Sequence, residues 1–167
     1  MRRIGRVGTL LLAAVVASGA LAVEEPVGGY AGLSGALMLP QGGSKLHRVG
    51  GATLRGGAYL SDWLAVEGAL AWQEDLAGIE ARGLWHWQGS ELYSYYFGYS
   101  QLDPFFTFGA CGWLGEAKGQ VGPQLGFGTF YHLTDCWSLR FDADVTLGLE
   151  SRRELLYRFS AGVQYEF

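Results

Sequence analysis

Apolar and polar side chains alternate along most of the chain beyond its first 22 residues. From Leu155 to Phe167 every odd-numbered position is apolar or aromatic, and every even-numbered position after Leu156 is polar or small. The stretch from Trp137 to Leu149 repeats this pattern. A period of two residues predicts β-strands with one apolar face. Both stretches are 13 residues long, which is unusual in a soluble sheet and sufficient to cross a bilayer at a tilt.

Six further strands follow from weaker alternation between turn residues. Ser61-Asp62 and Thr134-Asp135-Cys136 mark tight turns. The six strands are predicted at Tyr30–Leu39, Gly51–Leu60, Leu64–Trp72, from near Ile79, at Phe105–Leu114 and at Val121–Leu133. About eight antiparallel strands in sequence order predict an all-β protein, a closed up-and-down barrel.

The alternation breaks down between Gly89 and Asp103. Leu92, Tyr95, Tyr96 and Tyr99 are spaced like one face of a short helix, and they also fit a prolonged fourth strand. We favour an irregular or helical linker that ends before Pro104.

The first 22 residues have the features of a cleavable secretory signal peptide. Arg2, Arg3 and Arg6 precede an apolar run, and Ala20-Leu21-Ala22 forms a small-residue cleavage site. The alternative is a retained membrane anchor. We therefore expect a signal peptide at residues 1–22 and one barrel at residues 23–167. The predicted mature region has no run of about 18 apolar residues that would span a membrane as a helix, so insertion must use strands.

Composition narrows the class of protein. Glycine is abundant (27 residues), aromatic residues make up 14% and charged residues only 17%. The signal peptide holds three of the 12 basic residues, so the mature region keeps nine against 16 acidic residues. This negative charge argues against nucleic-acid binding.

Cys111 and Cys136 are expected to be small, mostly buried thiols; a single disulfide is the alternative.

Lipid provides no hydrogen-bond partner for the backbone, so strands can span a membrane only as a closed barrel. Alternation alone fits equally a lipocalin-like soluble barrel, whose interior is apolar. The polar faces here carry few charges, of both signs, among many small residues, which suits a narrow, plugged lumen without an open pore. The predicted lumen network comprises Arg55, Glu67, Glu80, Arg82, His86, Arg140, Asp142, Asp144, Arg158 and Glu166. The candidates for interfacial aromatic girdles are Trp63, Trp72, Trp85, Trp87, Trp113 and Trp137, with ordinary packing as the alternative for each.

The last strand, Tyr157 to Phe167, resembles the terminal strand of outer-membrane β-barrel proteins. Leu64 to Gly68, Gly126 to Gly128 and Leu133 to Asp135 resemble strand and turn segments of small OmpA-like or porin-like barrels. The resemblance implies insertion into outer-membrane lipid. It also implies that the barrel-assembly machinery reads Tyr165 and Phe167 in the terminal strand. The short turns would then face the periplasm, and the segments near residues 40–49, 73–78, 115–119 and 150–154 would face outward.

A non-catalytic structural or surface-interaction barrel is the function that these patterns favour. A narrow conduit or binder for small molecules is one alternative. Another is a lipid A-modifying enzyme, for which His132, Thr134, Asp135 and Glu150 give an imperfect set of residues, with Thr in place of Ser. Asp142 and Asp144 are more readily explained as partners of Arg140 and Arg158 than as a cation site. No cofactor or metal motif is present in the sequence.

Overall fold

The computed structural model describes residues 28–40, 49–73, 76–87, 101–115, 120–149 and 155–167. The predicted signal peptide, the Gly89–Ser100 part of the linker, and most of the predicted outward loops lie outside these residues. Eight strands form the described part of the chain: β1 (Gly28–Pro40), β2 (Val49–Ser61), β3 (Leu64–Gln73), β4 (Leu76–His86), β5 (Leu102–Gly115), β6 (Gln120–His132), β7 (Trp137–Leu147) and β8 (Leu155–Glu166).

Each strand pairs antiparallel with its neighbour in sequence, and β1 pairs with β8 to close the barrel. The predicted fold is therefore confirmed. We call the end that holds Gly28 and Glu166 the terminal end. It also contains the turns at residues 62–63 and 133–136. The opposite end, where β1 ends and β2 begins, is the loop end. No helix within the described ranges has the length and hydropathy needed to span a membrane.

The strand bounds differ from the predicted ones mainly at β5. This strand begins at Leu102 and includes Pro104, where a linker was expected to end. The Pro104 carbonyl accepts a hydrogen bond from the backbone N–H of Trp87 at 2.9 Å. Proline lacks only the donor of a strand residue, so its acceptor still extends the sheet. The predicted linker was therefore too long by the residues from Leu102 onward.

The two faces of the barrel have opposite chemistry. Leu54, Phe127, Phe141 and Val163 are among the large apolar side chains exposed on the outside. Buried inside are Arg, Glu, Asp, Gln, Ser and Thr side chains, with two small apolar clusters. Because adjacent residues of a strand point to opposite faces, one pairing register fixes both surfaces at once.

Two expectations about individual side chains were wrong. Trp113 is only 4% exposed and points into the lumen, whereas the other five tryptophans are exposed on the outside. Cys136 is exposed in the turn between β6 and β7, and only Cys111 is buried; both thiols are free. Trp113 has its place inside because Gly78 on the adjacent strand has no side chain. A Cβ there would lie 2.6 Å from the indole ring.

Candidate functional site

The lumen is the candidate site, and its terminal end is filled by aromatic rings. We call Tyr30, Tyr59, His86, Phe105 and Phe130 the aromatic plug. The ring centroids of Phe105 and Phe130 are 4.7 Å apart, and those of Tyr30 and Tyr59 are 5.3 Å apart. Such spacings are typical of packed aromatic pairs. Ala65 and Leu84 fill the space beside them.

Eight charged side chains occupy the middle of the lumen. Four are arginines and four are acids, so the set has no net charge, and each is at most 5% exposed. We call this set the charged cluster; its members are Arg55, Glu67, Glu80, Arg82, Arg140, Asp142, Asp144 and Arg158.

Four ion pairs of the charged cluster connect the first half of the barrel (β1–β4) with the second half (β5–β8). Arg55 on β2 reaches Asp142 on β7 at 3.1 Å, and Arg82 on β4 reaches Asp144 on β7 at 3.2 Å. In the opposite direction, Arg140 pairs with Glu67 on β3 and Arg158 with Glu80 on β4. The second nitrogen of Arg158 donates to Glu80 at 2.7 Å.

The remaining ion pairs lie within each half. Arg140 pairs with Asp142 at 2.8 Å, and Arg158 with Asp144 at 2.8 Å. In the other half, Arg82 pairs with Glu67 and lies 3.6 Å from Glu80. Each half of the cluster therefore contains two arginines and two acids.

Neutral hydrogen-bond partners complete the charged cluster. Ser160 donates to Asp142 at 3.0 Å, and Thr107 donates to Asp144 at 3.1 Å. Arg55 donates to the hydroxyl oxygens of Ser34 and Ser160. Buried charges are tolerated only when ion partners and further hydrogen bonds replace the lost water, and this arrangement meets that requirement. The guanidinium carbon of Arg140 also lies 5.0 Å from the ring centre of Phe105, joining the cluster to the aromatic plug.

Apolar and uncharged polar side chains occupy the loop end of the lumen. We call Met38, Ala71, Cys111, Trp113 and Leu156, together with Gln73, the loop-end layer. Cys111 donates to the hydroxyl oxygen of Thr146 at 3.4 Å. This layer has no charged member.

Of the ten predicted lumen residues, eight form the charged cluster and two lie nearer the terminal end. His86 Nδ1 lies 2.6 Å from Asp103 within the aromatic plug. Glu166 accepts a hydrogen bond from Ser138 at 3.3 Å and lies 4.0 Å from His132.

Sequence reasoning missed Asp103, which it placed in the linker. The usable signal was that Asp103 is in phase with Phe105 and Thr107, since all three point inward.

The residues considered for catalysis have structural partners. The Thr134 oxygen accepts backbone hydrogen bonds from Cys136 and Trp137 and so stabilises the β6–β7 turn. His132 Nδ1 lies 2.9 Å from Ser138 Oγ and faces Glu166 with the same ring nitrogen. A Ser–His–acid triad requires the serine and the acid on different ring nitrogens. Asp135 is exposed in the turn, and Glu150 lies outside the described residues.

Metal binding finds no support in the part of the chain that the structure describes. No three His, Cys, Asp or Glu side chains there form a group that could hold a metal ion. Asp142 and Asp144, considered as a cation site, instead pair with arginines on β2, β4, β7 and β8.

The carboxy-terminal residues close the barrel at the terminal end. Phe167 and Gly29 exchange two backbone hydrogen bonds, at 2.9 and 3.1 Å. The Phe167 side chain is 75% exposed, and Tyr165 is exposed beside Trp137, with ring centroids 5.0 Å apart. Both side chains therefore belong to the outer surface.

Solved structures of outer-membrane barrels share this fold. The chain aligns with the outer membrane protein OprG of Pseudomonas aeruginosa at a TM-score of 0.64 and 10% identity, covering 86% of this chain and 97% of that one. Neisserial surface protein A aligns at a TM-score of 0.62 and 17% identity, covering 86% of this chain and 100% of that one. The amino-terminal β-barrel domain of P. aeruginosa OprF aligns at a TM-score of 0.58 and 14% identity, covering 83% of this chain and 97% of that one. At these identities the likeness shows the fold alone.

Sequence comparison identifies the family. No curated protein sequence gives a significant match. Residues 8–167 match the family described as outer membrane protein beta-barrel domain. The chain therefore belongs to the outer-membrane β-barrel protein family, and it lies in the bacterial outer membrane with its apolar face against lipid.

Proposed function

We propose that this protein is a non-catalytic structural barrel of the outer membrane whose lumen is permanently closed. The observation that carries the proposal is the charged cluster. Four ion pairs cross the lumen between the two halves of the chain. Moving an ion past them would require several buried, paired charges to separate, which is costly in a medium of low dielectric constant.

The aromatic plug provides a second closure in series with the charged cluster. Phe105 and Phe130 lie against Arg140 at 5.0 and 5.1 Å, so no layer separates the two. An eight-stranded barrel has room only for its own side chains. A conduit would therefore have to open two layers that are held together by direct contact.

Single-channel recording in planar bilayers tests the closed lumen. We expect no steady conductance steps from protein whose insertion is verified by heat-modifiable gel mobility. The variant Phe105→Ala/Phe130→Ala should remain silent, because it retains every charged pair. Steady steps from the unmodified protein would refute the proposal.

The absence of catalysis is the second part of the proposal. It is supported by the backbone hydrogen bonds that Thr134 accepts in the turn. It is also supported by His132, which faces both Ser138 and Glu166 with the same ring nitrogen. Lipid A incubated with the reconstituted barrel should keep its acyl composition by mass spectrometry. A changed acyl count that disappears in His132→Ala would contradict it.

We also propose that the terminal end faces the periplasm, with the loop end available for surface interactions. Support comes from family membership and from the position of both chain ends of the barrel at that end. Cys136 is an exposed thiol there. A polymer-linked maleimide too large for outer-membrane pores should label Cys136 only after the outer membrane is permeabilised. Labelling of Cys136 on intact cells would show that the terminal end faces outward and would contradict the proposed orientation.

Recognition by the barrel-assembly machinery through Tyr165 and Phe167 completes the proposal. It is supported by the exposure of both rings at the end of β8. Phe167→Ala should lower the fraction of heat-modifiable barrel in cells. Phe159→Ala, another change of an exposed phenylalanine on the outer face of β8, should leave that fraction nearer to normal. Equal effects of the two changes would contradict a terminal signal.

A further inference from the structure

The seam between β1 and β8 closes the barrel, yet β1 carries no charge. This strand contains no acidic or basic side chain, so no ion pair between the two strands can fix their register. The inward hydroxyl groups of β1 bond to other strands. Tyr30 donates to Glu67 on β3 at 2.9 Å, and Ser34 accepts a hydrogen bond from Arg55 on β2.

On the outer side of the seam, the last ring of the chain lies over a glycine. Gly29 and Phe167 exchange two backbone hydrogen bonds and so lie opposite each other. The Cε2 atom of Phe167 lies 2.8 Å from the position that a Cβ of residue 29 would occupy. Two residues along β1, Ala31 lies opposite Tyr165. A shift of two residues in that direction would move Phe167 from the glycine to the methyl group of Ala31.

On the inner side, a second glycine lets the two strands approach closely. Gly162 pairs with Ser34. A Cβ at position 162 would overlap the backbone carbonyl oxygen of Leu33 and lie 2.5 Å from the Cα of Ser34. A shift of two residues keeps every side chain on its face and would bring Ser160 or Gln164 to this place. Either residue would add a Cβ where the backbone of β1 leaves no room.

Gly35, also on the seam, shows that a small residue alone does not have this property. It is exposed on the outer face and pairs with Ala161. A Cβ at position 35 would lie 4.0 Å from the Ala161 carbonyl oxygen, an ordinary contact distance. Gly35 can therefore take a side chain without moving its neighbours.

We propose that Gly29 and Gly162 select the register in which the barrel closes. Gly29 receives the ring of Phe167 on the outer face, and Gly162 allows the close approach to Leu33 on the inner face. This register brings the two halves of the charged cluster opposite each other, and the ion pairs then stabilise what the two glycines have selected. The inference goes beyond the closed lumen and does not depend on recognition by the assembly machinery.

Disulfide trapping in the full-length barrel, refolded into lipid vesicles, tests this selection in a variant without the two native thiols. Leu33→Cys combined with Val163→Cys, the position opposite it, reports the native register. Leu33→Cys combined with Ala161→Cys or Tyr165→Cys reports the shifted registers. All four positions face outward, so the lumen is unchanged. With both glycines present, we expect the disulfide to form with position 163 and not with position 161 or 165.

Substituting the glycines should weaken the preference for the native disulfide. Gly162→Ala should lower the ratio of native to shifted disulfide by about tenfold, within the range of equilibrium changes that one substitution produces. Gly29→Val displaces only the ring at the chain end and should lower the ratio by about threefold. It provides the test if Gly162→Ala fails to fold. Gly35→Val is the control and should leave the ratio unchanged.

Removing charge distinguishes the two glycines from the ion pairs. Glu80→Gln/Arg158→Gln removes the ion pair between these residues and leaves the seam glycines in place. This variant should be less stable but keep the ratio of native to shifted disulfide. A ratio that falls in this variant and stays constant in Gly162→Ala and Gly29→Val would overturn the proposal. An equal fall in Gly35→Val and Gly29→Val would overturn it as well.

Discussion

Leu54 and Arg55 are neighbours on β2 and show how differently the two faces of the barrel are stabilised. Leu54 is 47% exposed on the outer surface, where it meets hydrocarbon and needs no specific partner. Arg55 is 3% exposed and has an ion pair with Asp142 together with hydrogen bonds to two serines. The outer face therefore depends on the class of side chain, whereas the lumen depends on particular partners.

Removing one arginine from the charged cluster should give the largest loss of stability. Arg140→Met leaves Glu67 and Asp142 buried with one partner fewer each. We expect a loss of about 3–5 kcal/mol, typical of breaking a buried ion pair. Urea titration in lipid vesicles, followed by tryptophan fluorescence, measures it. A loss below about 1 kcal/mol would mean that the arginine is replaceable by apolar bulk.

Placing an arginine on the outer face should cost somewhat less. Leu54→Arg places an arginine at a lipid-facing position, next to Arg55, which points into the lumen. A charge near the middle of the membrane destabilises outer-membrane barrels by about 2–4 kcal/mol. The same titration applies, with Leu54→Met as the control that should change little. An unchanged midpoint for Leu54→Arg would indicate that this face is not in lipid.

Partners that join the two halves of the chain should show a coupling energy. Glu80→Gln and Arg158→Gln, singly and together, form a double-mutant cycle across the lumen. Because the two side chains share two hydrogen bonds, we expect a coupling of about 1–3 kcal/mol. Leu54→Ala combined with Phe141→Ala, two lipid-facing changes on separated strands, should be additive. Additivity in the Glu80–Arg158 cycle would contradict a connected cluster.

The smallest expected effect is a gain at the loop end. Gln73→Leu replaces a fully buried amide without partners by an apolar side chain. Stability should rise by about 1 kcal/mol, within the range for an unsatisfied buried group. Urea titration beside the unmodified protein measures the gain. A loss of similar size would show that the amide is already satisfied within the protein.

Much of the fold follows from the sequence because a strand residue has only two directions available. In β7, and in β8 after Leu156, the alternation is unbroken, so the inward positions of Arg140 and Arg158 could be predicted directly. The strand β5 was harder because aromatic rings lie on both of its faces. Phe105 and Trp113 point inward, whereas Phe106 and Phe108 point outward. The pattern of β5 therefore leaves the direction of Trp113 undecided between lipid and lumen.

The partners inside the lumen could not be predicted from local pattern. Arg55 meets Asp142 only because β1 and β8 close the barrel and bring β2 opposite β7. A shift of two residues in the register of one strand pair would keep every side chain on its face but change the ion pairs that cross that boundary. The same applies to the loop-end layer, where Ala71 and Trp113 come together across Gly78 of β4. The sequence therefore determines which face a residue occupies, and the register determines its contacts.

Lipid quenching of Trp72 and Trp113 tests the separation of the two faces most directly. Register places both near the loop end, since Trp72 pairs with Ala77 and Ala77 with Leu114, the neighbour of Trp113. Two variants, each with one of these tryptophans and phenylalanine at the other five positions, would be reconstituted in lipids with brominated acyl chains. Bromine should strongly quench Trp72 and leave Trp113 nearly as bright as in ordinary lipid. Strong quenching of Trp113 with Trp72 unaffected would place the polar side chains against lipid and contradict the account.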